Sequence, residues 1–286
     1  MNAIRSTDGT VIAYETCGDG APLILVDGAL CYRKMGPSRA LAEVLSEHFT
    51  VISYDRRGRG ESGASAPYSV EREIEDLAAL IAAAGGSAYV CGVSSGAVLA
   101  LEAAARGLPI TALALYEPPF IVDDSRPPLA ADYVEQLHAL LASNRRGDAV
   151  RLFMRQVGVP APLVWLMRFM PAWGRLKGVA HTLPYDGEIM RDTQLGRPLP
   201  AARWREARVK TLVIVGGKSP QFFHTGTRML ADQLADAEHR VLEGQTHMVK
   251  AKVLGPVLID AFAVGRAAGF DGASRDADTR VTVISA

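Results

Sequence analysis

A chain of 286 residues has room for one large or two ordinary domains and for a sizeable core. Its 31 Lys and Arg balance 31 Asp and Glu, which argues against nucleic acid or an anionic membrane as partner, since either needs an excess of basic charge on one face. A hydrophobic share of 49% with 22% charged residues excludes a disordered chain.

The segment Met1 to Asp8 lacks a basic region followed by an apolar run, so no signal peptide is expected. The most apolar stretches break at Gly or carry an Arg within a dozen residues, so none is expected to span a bilayer. Three cysteines, Cys17, Cys31 and Cys91, are too few and too scattered for a disulfide framework or a zinc site. They are expected to be free thiols in a reducing, cytoplasmic compartment.

In chain order, short β-branched runs alternate with longer Ala- and Leu-rich segments, the pattern of a mostly parallel sheet covered by helices. Strands are predicted over residues 11–15, 23–26, 51–54, 88–91, 112–116, 211–215 and 239–242, and helices over 38–47, 70–84, 97–106, 226–235 and 248–266. In the second helix Val70, Ile74, Leu77, Ala78 and Ile81 recur at spacings of three and four, the stripe of a helix lying on a sheet. Most of the strands are near-continuous apolar runs, which fits burial on both faces.

The alternation fails over residues 120–205, an 86-residue stretch with eight prolines, no convincing strand and helix-like pieces at 131–143 and 148–156. It reads as a helical cap inserted into the sheet domain. The expected division is core over 1–119, cap over 120–205, core again over 206–270, and a polar tail over 271–286 that is mobile unless its apolar tip, Val281 to Ile284, docks as a strand.

The strongest chemical signal is Gly92-Val93-Ser94-Ser95-Gly96, set between the apolar run Tyr89-Val90-Cys91 and an Ala-rich helix. Strand, sharp turn and helix in that order make Gly-x-Ser-x-Gly a nucleophile elbow. Side chains at 92 or 96 would collide with neighbouring backbone as the chain reverses, and Ser94 would sit strained with its hydroxyl exposed. With this motif the chain resembles the α/β-hydrolases, over nearly its whole length. Val26-Asp27-Gly28-Ala29 stands where that family has its oxyanion loop, and Tyr54 to Ser62 resembles the family's Asp-x-Arg-Gly-x-Gly-x-Ser loop. Gly244-Gln245-Thr246-His247 matches a Gly-x-x-His after the last strand.

Serine is a weak nucleophile at neutral pH and needs a base, which in turn needs a group to hold its tautomer. Of six histidines, His247 is preferred because it lies between the last strand and the last helix, where a loop can return imidazole to the elbow. His48, His138 and His239 read as packed or solvated side chains, while His181 and His224 remain possible pocket residues. The acid departs from the commoner pattern: the strand at 211–215 runs into Gly216-Gly217-Lys218-Ser219-Pro220 without a carboxylate. Glu117 closes the preceding strand, where the resemblance implies that a minority of relatives, the haloalkane dehalogenases among them, carry the acid. Asp123 and Asp124 are the next candidates.

The oxyanion donors implied are the N–H groups of Ser95 and Ala29. Asp27 is expected to serve the local structure rather than the substrate, and Arg56, Arg57 and Arg59 to form loop-fixing ion pairs with Asp55 and Glu61 beside them. Cys31 is expected to line the pocket, and Trp165, Met167, Phe169, Met170 and Trp173 to pack the cap, contact substrate, or both. The expected function is a serine hydrolase cleaving an ester or related acyl bond of a small, mainly apolar substrate. No cofactor or metal is expected, and neither nucleic acid nor membrane as partner; the sequence does not set the oligomeric state. The rival reading is a binding protein or non-hydrolytic auxiliary enzyme that keeps the fold without the catalytic residues.

Overall fold

The structure is a computed structural model that describes the backbone of residues 2–269 and the side chains of residues 2–263. The expected tail over 271–286 lies outside the described residues. Eight strands run Asn2–Arg5 (β1), Val11–Cys17 (β2), Ala21–Val26 (β3), Phe49–Tyr54 (β4), Ala88–Val93 (β5), Ile110–Tyr116 (β6), Thr211–Gly216 (β7) and Ala237–Leu242 (β8). They form one sheet in the order β1-β2-β4-β3-β5-β6-β7-β8. Strand β2 is antiparallel to both its neighbours and all remaining pairs are parallel, so the α/β class expected from the sequence is the one observed.

All seven predicted strands are present and mostly extend by one or two residues. The eighth, β1, carries no apolar run and is largely exposed, as suits a short edge strand, so nothing in its composition marks it. In β3, Leu23 and Leu25 pack into one hydrophobic cluster and Ile24 and Val26 into the other. Alternate side chains thus enter cores on opposite faces of the sheet, which is why the strand reads as an unbroken apolar run.

The helices are Ser38–Leu45 (α1), Val70–Ala83 (α2), Ser95–Ala105 (α3), Tyr133–Ala142 (α4), Arg146–Gln156 (α5), Ala161–Met167 (α6), Ala172–Val179 (α7), Leu183–Ile189 (α8), Gln221–Gln233 (α9) and Ala251–Gly269 (α10). Ile74, Leu77 and Ile81 of α2 are buried, as the stripe predicted, and Leu80, outside that stripe, is buried as well. Helix α9 starts five residues earlier than its composition suggests, directly after Pro220, whose fixed φ suits a helix start. No helix among the described residues is long and apolar enough to cross a membrane.

Between β6 and β7 the chain builds α4 to α8 and a 3-10 turn, with no strand. Phe120, Val122, Ile189, Leu199 and Trp204 join the same cluster as Ile24 and Val90 of the sheet, so both ends of this insertion are rooted in the core. Its aromatics divide in a way the sequence did not indicate. Trp173 is buried, but Trp165 and Phe169 are 56% and 62% exposed and neither borders the cavity described below.

Candidate active site

The register of the parallel strands brings chemistry to one edge of the sheet. Val26 pairs with Gly92, Val93 with Tyr116, and Tyr116 with Ile214, so β3, β5, β6 and β7 end side by side. The next residue of β5 beyond Val93 is Ser94, whose N–H donates to Tyr116 O at 2.9 Å; the next residue of β6 is Glu117, whose N–H donates to Ile214 O at 3.0 Å. Both are non-glycine residues at positive φ, 57° for Ser94 and 47° for Glu117. Such conformations cost on the order of 1–3 kcal/mol each and persist only where the surroundings enforce them.

At Ser94 the enforcement is visible in the glycines. A Cβ on Gly92 would lie 2.5 Å from Gly96 O, and one on Gly96 would lie 2.2 Å from Val26 O. Helix α3 begins at Ser95 with no intervening loop, two residues earlier than its composition suggests. Gly28 also presses on the elbow, since a Cβ there would be 2.9 Å from Ser94 Cβ, and this brings the Ala29 backbone beside the serine. Among the described residues, neither the Ser95 nor the Ala29 N–H donates to another protein group. Two free donors therefore flank Ser94, the arrangement needed to receive a developing oxyanion.

Glu117 and His247, 130 residues apart, meet directly: Nδ1 of His247 lies 2.7 Å from Glu117 Oε2. A carboxylate can only accept, so Nδ1 carries a proton and, in the neutral imidazole, Nε2 keeps its lone pair. The other oxygen, Oε1, accepts the Gly216 N–H at 2.7 Å, which fixes the carboxylate plane against β7. The carboxyl is fully buried. The loop carrying His247 is pinned by the Tyr116 hydroxyl, which donates to Thr246 O at 2.7 Å, and the imidazole stacks on Phe223 with ring centroids 4.8 Å apart. Gly216 gives this loop room, since a Cβ there would lie 2.7 Å from Gln245 O.

Ser94, Ser95, Ala29 and His247 line one cavity of about 440 Å³, walled largely by apolar groups including Tyr133, Phe153, Met190 and Phe222. Ser94 Oγ makes no hydrogen bond among the described residues, to His247 or to anything else; serine and imidazole line one cavity without a hydrogen bond between them. Of the six histidines His247 alone borders it. His181 packs by Gly58, His224 lies on an outer groove, and His239 meets the Thr227 hydroxyl at 3.0 Å. Cys31, expected in the pocket, lies outside it, and burial pushes its thiol up to about 12. Asp123 is engaged by the N–H and hydroxyl of Ser125. Among the described residues no group of three or more His, Cys, Asp or Glu is arranged to hold a metal ion.

The basic cluster is buried rather than solvated, and its partners are not its sequence neighbours. Arg56 holds Glu73 through two hydrogen bonds of 2.7 Å, and Arg57 holds Asp76 at 2.8 and 2.7 Å. Asp186, on α8 of the insertion, accepts from Arg56 at 2.8 Å, from Arg59 at 2.7 Å and from the Ser95 hydroxyl at 2.7 Å. Burial alone would raise its pKa, but the Arg59 and Arg56 charges hold it below the ordinary range. Arg56 and Arg59 in turn donate to the carbonyls of Asp27 and Gly28, at 3.3 and 2.6 Å. Asp55 and Glu61, the expected partners, are instead taken by Arg33.

Asp27 does not line the cavity; its Oδ2 lies beside Gly36 and is unpartnered among the described residues. Burial pushes its carboxyl up to about 6, against the opposing pull of Ser38 and of the Arg59 and Arg56 charges. A raised carboxyl pKa means that the folded state holds its proton more tightly than the unfolded one, so this group costs stability as pH rises from about 4 to 6. Asp27→Asn is therefore expected to be more stable than wild type at pH 7 by on the order of 2–3 kcal/mol. Urea unfolding at pH 7 and pH 4 checks this: the advantage is to be absent at pH 4, and an equal gain at both pH values would refute the titration argument.

The family model that matches the chain describes the alpha/beta hydrolase family and covers residues 20–249. The chain belongs to this family. The hydrolase is similar to an alpha/beta hydrolase from Sphaerobacter thermophilus DSM 20745, with 52% identity and a TM-score of 0.85 over 91% of this chain and all of that one. It shares its fold with the enol-lactonase from Burkholderia xenovorans LB400, at 21% identity and a TM-score of 0.66, over 92% of this chain and all of that one. A curated relative, the uncharacterized hydrolase YraK of Bacillus subtilis, is 33% identical over 109 residues, 37% of this chain; the match spans only 40% of YraK's length.

Proposed function

We propose that this hydrolase is a serine enzyme that cleaves a carboxylic ester or related acyl bond of a small, mainly apolar substrate through an acyl-enzyme. The observation that carries the reading is the Glu117–His247 pair, 2.7 Å apart, with its imidazole on the cavity that Ser94 enters in a strained conformation. Glu117 fixes the tautomer that leaves Nε2 free to accept a proton. A substrate carbonyl placed between Ser94 and the Ser95 and Ala29 N–H groups brings the serine and the base to one reacting centre. Ser94 Oγ then attacks the carbonyl carbon as its proton passes to Nε2, and the carbonyl oxygen takes the negative charge against the two N–H groups. The protonated imidazole returns that proton to the leaving alcohol as the C–O bond breaks. Water, deprotonated by the same nitrogen, attacks the acyl-enzyme and releases the acid and Ser94.

An ester fits the apolar walls of the cavity, and a lactone or other activated acyl bond would follow the same steps, as the activity named for the enol-lactonase neighbour illustrates. The insertion over residues 120–205 is read as the cap that supplies those walls. A reducing, cytoplasmic setting suits the three free cysteines.

The missing Ser94–His247 hydrogen bond favours the second reading, a protein that binds rather than cleaves. A fluorophosphonate probe separates the two. Wild type is expected to take the probe on Ser94, identified by mass spectrometry of the labelled peptide, and Ser94→Ala to take none. Folded wild-type protein that stays unlabelled, while also failing to turn over activated esters, would favour binding.

A further inference from the structure

The catalytic cavity contains one charged side chain whose charge no acid among the described residues answers. Arg126 lies on the segment between β6 and α4 and is the only Asp, Glu, Lys or Arg among the described residues that line the cavity with Ser94 and His247. Its neighbours hold it without neutralising it. The guanidinium sits over the Phe222 ring, 4.6 Å from the centroid, and one terminal N–H donates to the Gln156 carbonyl. Among the described residues no carboxylate forms an ion pair with it. Asp123, the nearest acid along the chain with a defined partner, is occupied by Ser125.

Arg126 is half-buried, and its lack of an acid contrasts with the fully buried arginines. Arg33, Arg56, Arg57 and Arg59 are all ion-paired. Burial against apolar walls lowers the Arg126 pKa, the mark of a cation short of compensation. An uncompensated charge is costly to desolvate, and a guanidinium offers five donors in a planar fork that matches a carboxylate. With one donor used by Gln156, the rest are left for a ligand.

We propose that Arg126 binds a carboxylate carried by the substrate, so that the natural substrate is the ester, or related acyl derivative, of a small carboxylate-bearing molecule. This rests on the serine-hydrolase reading and narrows it: the apolar walls take the carbon skeleton and the single fork takes one anionic end. A phosphate dianion fits less well, because a mostly apolar cavity with one cation leaves its third oxygen and second charge unmatched. Loss of this one carboxylate–guanidinium contact is worth about 10–100-fold in kcat/KM.

The test uses matched substrate pairs that differ in one charge. Monomethyl glutarate against methyl pentanoate places the anion on the acyl side, and 4-acetoxybenzoate against 4-acetoxybenzamide places it on the alcohol side. Wild type is expected to favour the anionic member of at least one pair by 10-fold or more in kcat/KM, chiefly through KM. Arg126→Met is expected to lower that anionic-to-neutral ratio by about 10–100-fold, and Arg126→Lys to keep part of it. Turnover of the neutral esters without any anionic preference, or a preference that survives in Arg126→Met, would overturn the carboxylate site and leave the hydrolase standing. No turnover of any ester together with no probe on Ser94 would remove the serine-hydrolase reading, and the carboxylate site with it.

Discussion

Glu117→Gln is expected to lower kcat on an activated ester by about 10³–10⁴-fold while the protein stays folded. The substitution is nearly isosteric, and the amide oxygen still accepts the Gly216 N–H that Oε1 accepts now. What changes is the group facing Nδ1. An amide N–H₂ donates where Glu117 Oε2 accepts at 2.7 Å, so the imidazole adopts the other tautomer, with its proton on Nε2. A base that already carries a proton there cannot take one from Ser94. The check is kcat together with thermal unfolding, the latter showing that the loss is chemical. Turnover within a few-fold of wild type would remove Glu117 from the mechanism. Asp123→Asn, by contrast, is expected to change kcat only slightly, because its carboxylate is committed to Ser125.

Asp186→Ala is expected to destabilise the protein by about 3–5 kcal/mol. Asp186 is 1% exposed and supplies one of two carboxylates, with Glu73, that balance Arg56 and Arg59. Removing it leaves Arg56 with Glu73 alone and strips Arg59 of its one acid among the described residues. For a protein of this size that corresponds to a fall of about 10 °C in Tm. The effect also reaches the chemistry, because Arg56 and Arg59 hold the carbonyls of Asp27 and Gly28, while Asp186 itself takes the Ser95 hydroxyl. The two residues whose N–H groups flank Ser94 therefore lie next to, or within, what Asp186 fixes. A fall in kcat larger than the rise in KM, measured well below the new Tm, is the expected kinetic signature. Wild-type stability would show that water or neighbouring groups replace the carboxylate.

The sheet was legible because its cause is local. Strands such as β3 must feed two cores with alternate side chains, and an unbroken apolar run is the only way a short segment can do so. β1 escaped because an exposed edge strand needs no such run. The elbow was legible for a similar reason: the glycines at 92 and 96 are required by contacts of 2.5 and 2.2 Å that any side chain would violate, so the motif is written into neighbouring positions. Glu117 and His247 could be named from strand-end positions and from the family resemblance.

The groups that sequence reasoning missed are those whose partners lie far along the chain. Asp186 is 130 residues from Arg56 and 91 from Ser95, and nothing in its local sequence separates it from a surface acid. The arginine cluster looked self-contained, with Asp55 and Glu61 beside it, yet its charges are answered by α2 and α8. Nothing in the sequence singles out Arg126; only the cavity shows that no acid among the described residues meets it. The 286 residues by themselves determined the alternation of strand and helix, the elbow and the neutral balance of charge, because each follows from composition or near-neighbour sterics. Tertiary structure alone decided how that neutrality is distributed. Ion pairing is a property of distance in space, so only the fold could set Asp186 against two arginines and leave Arg126 without an acid among the described residues.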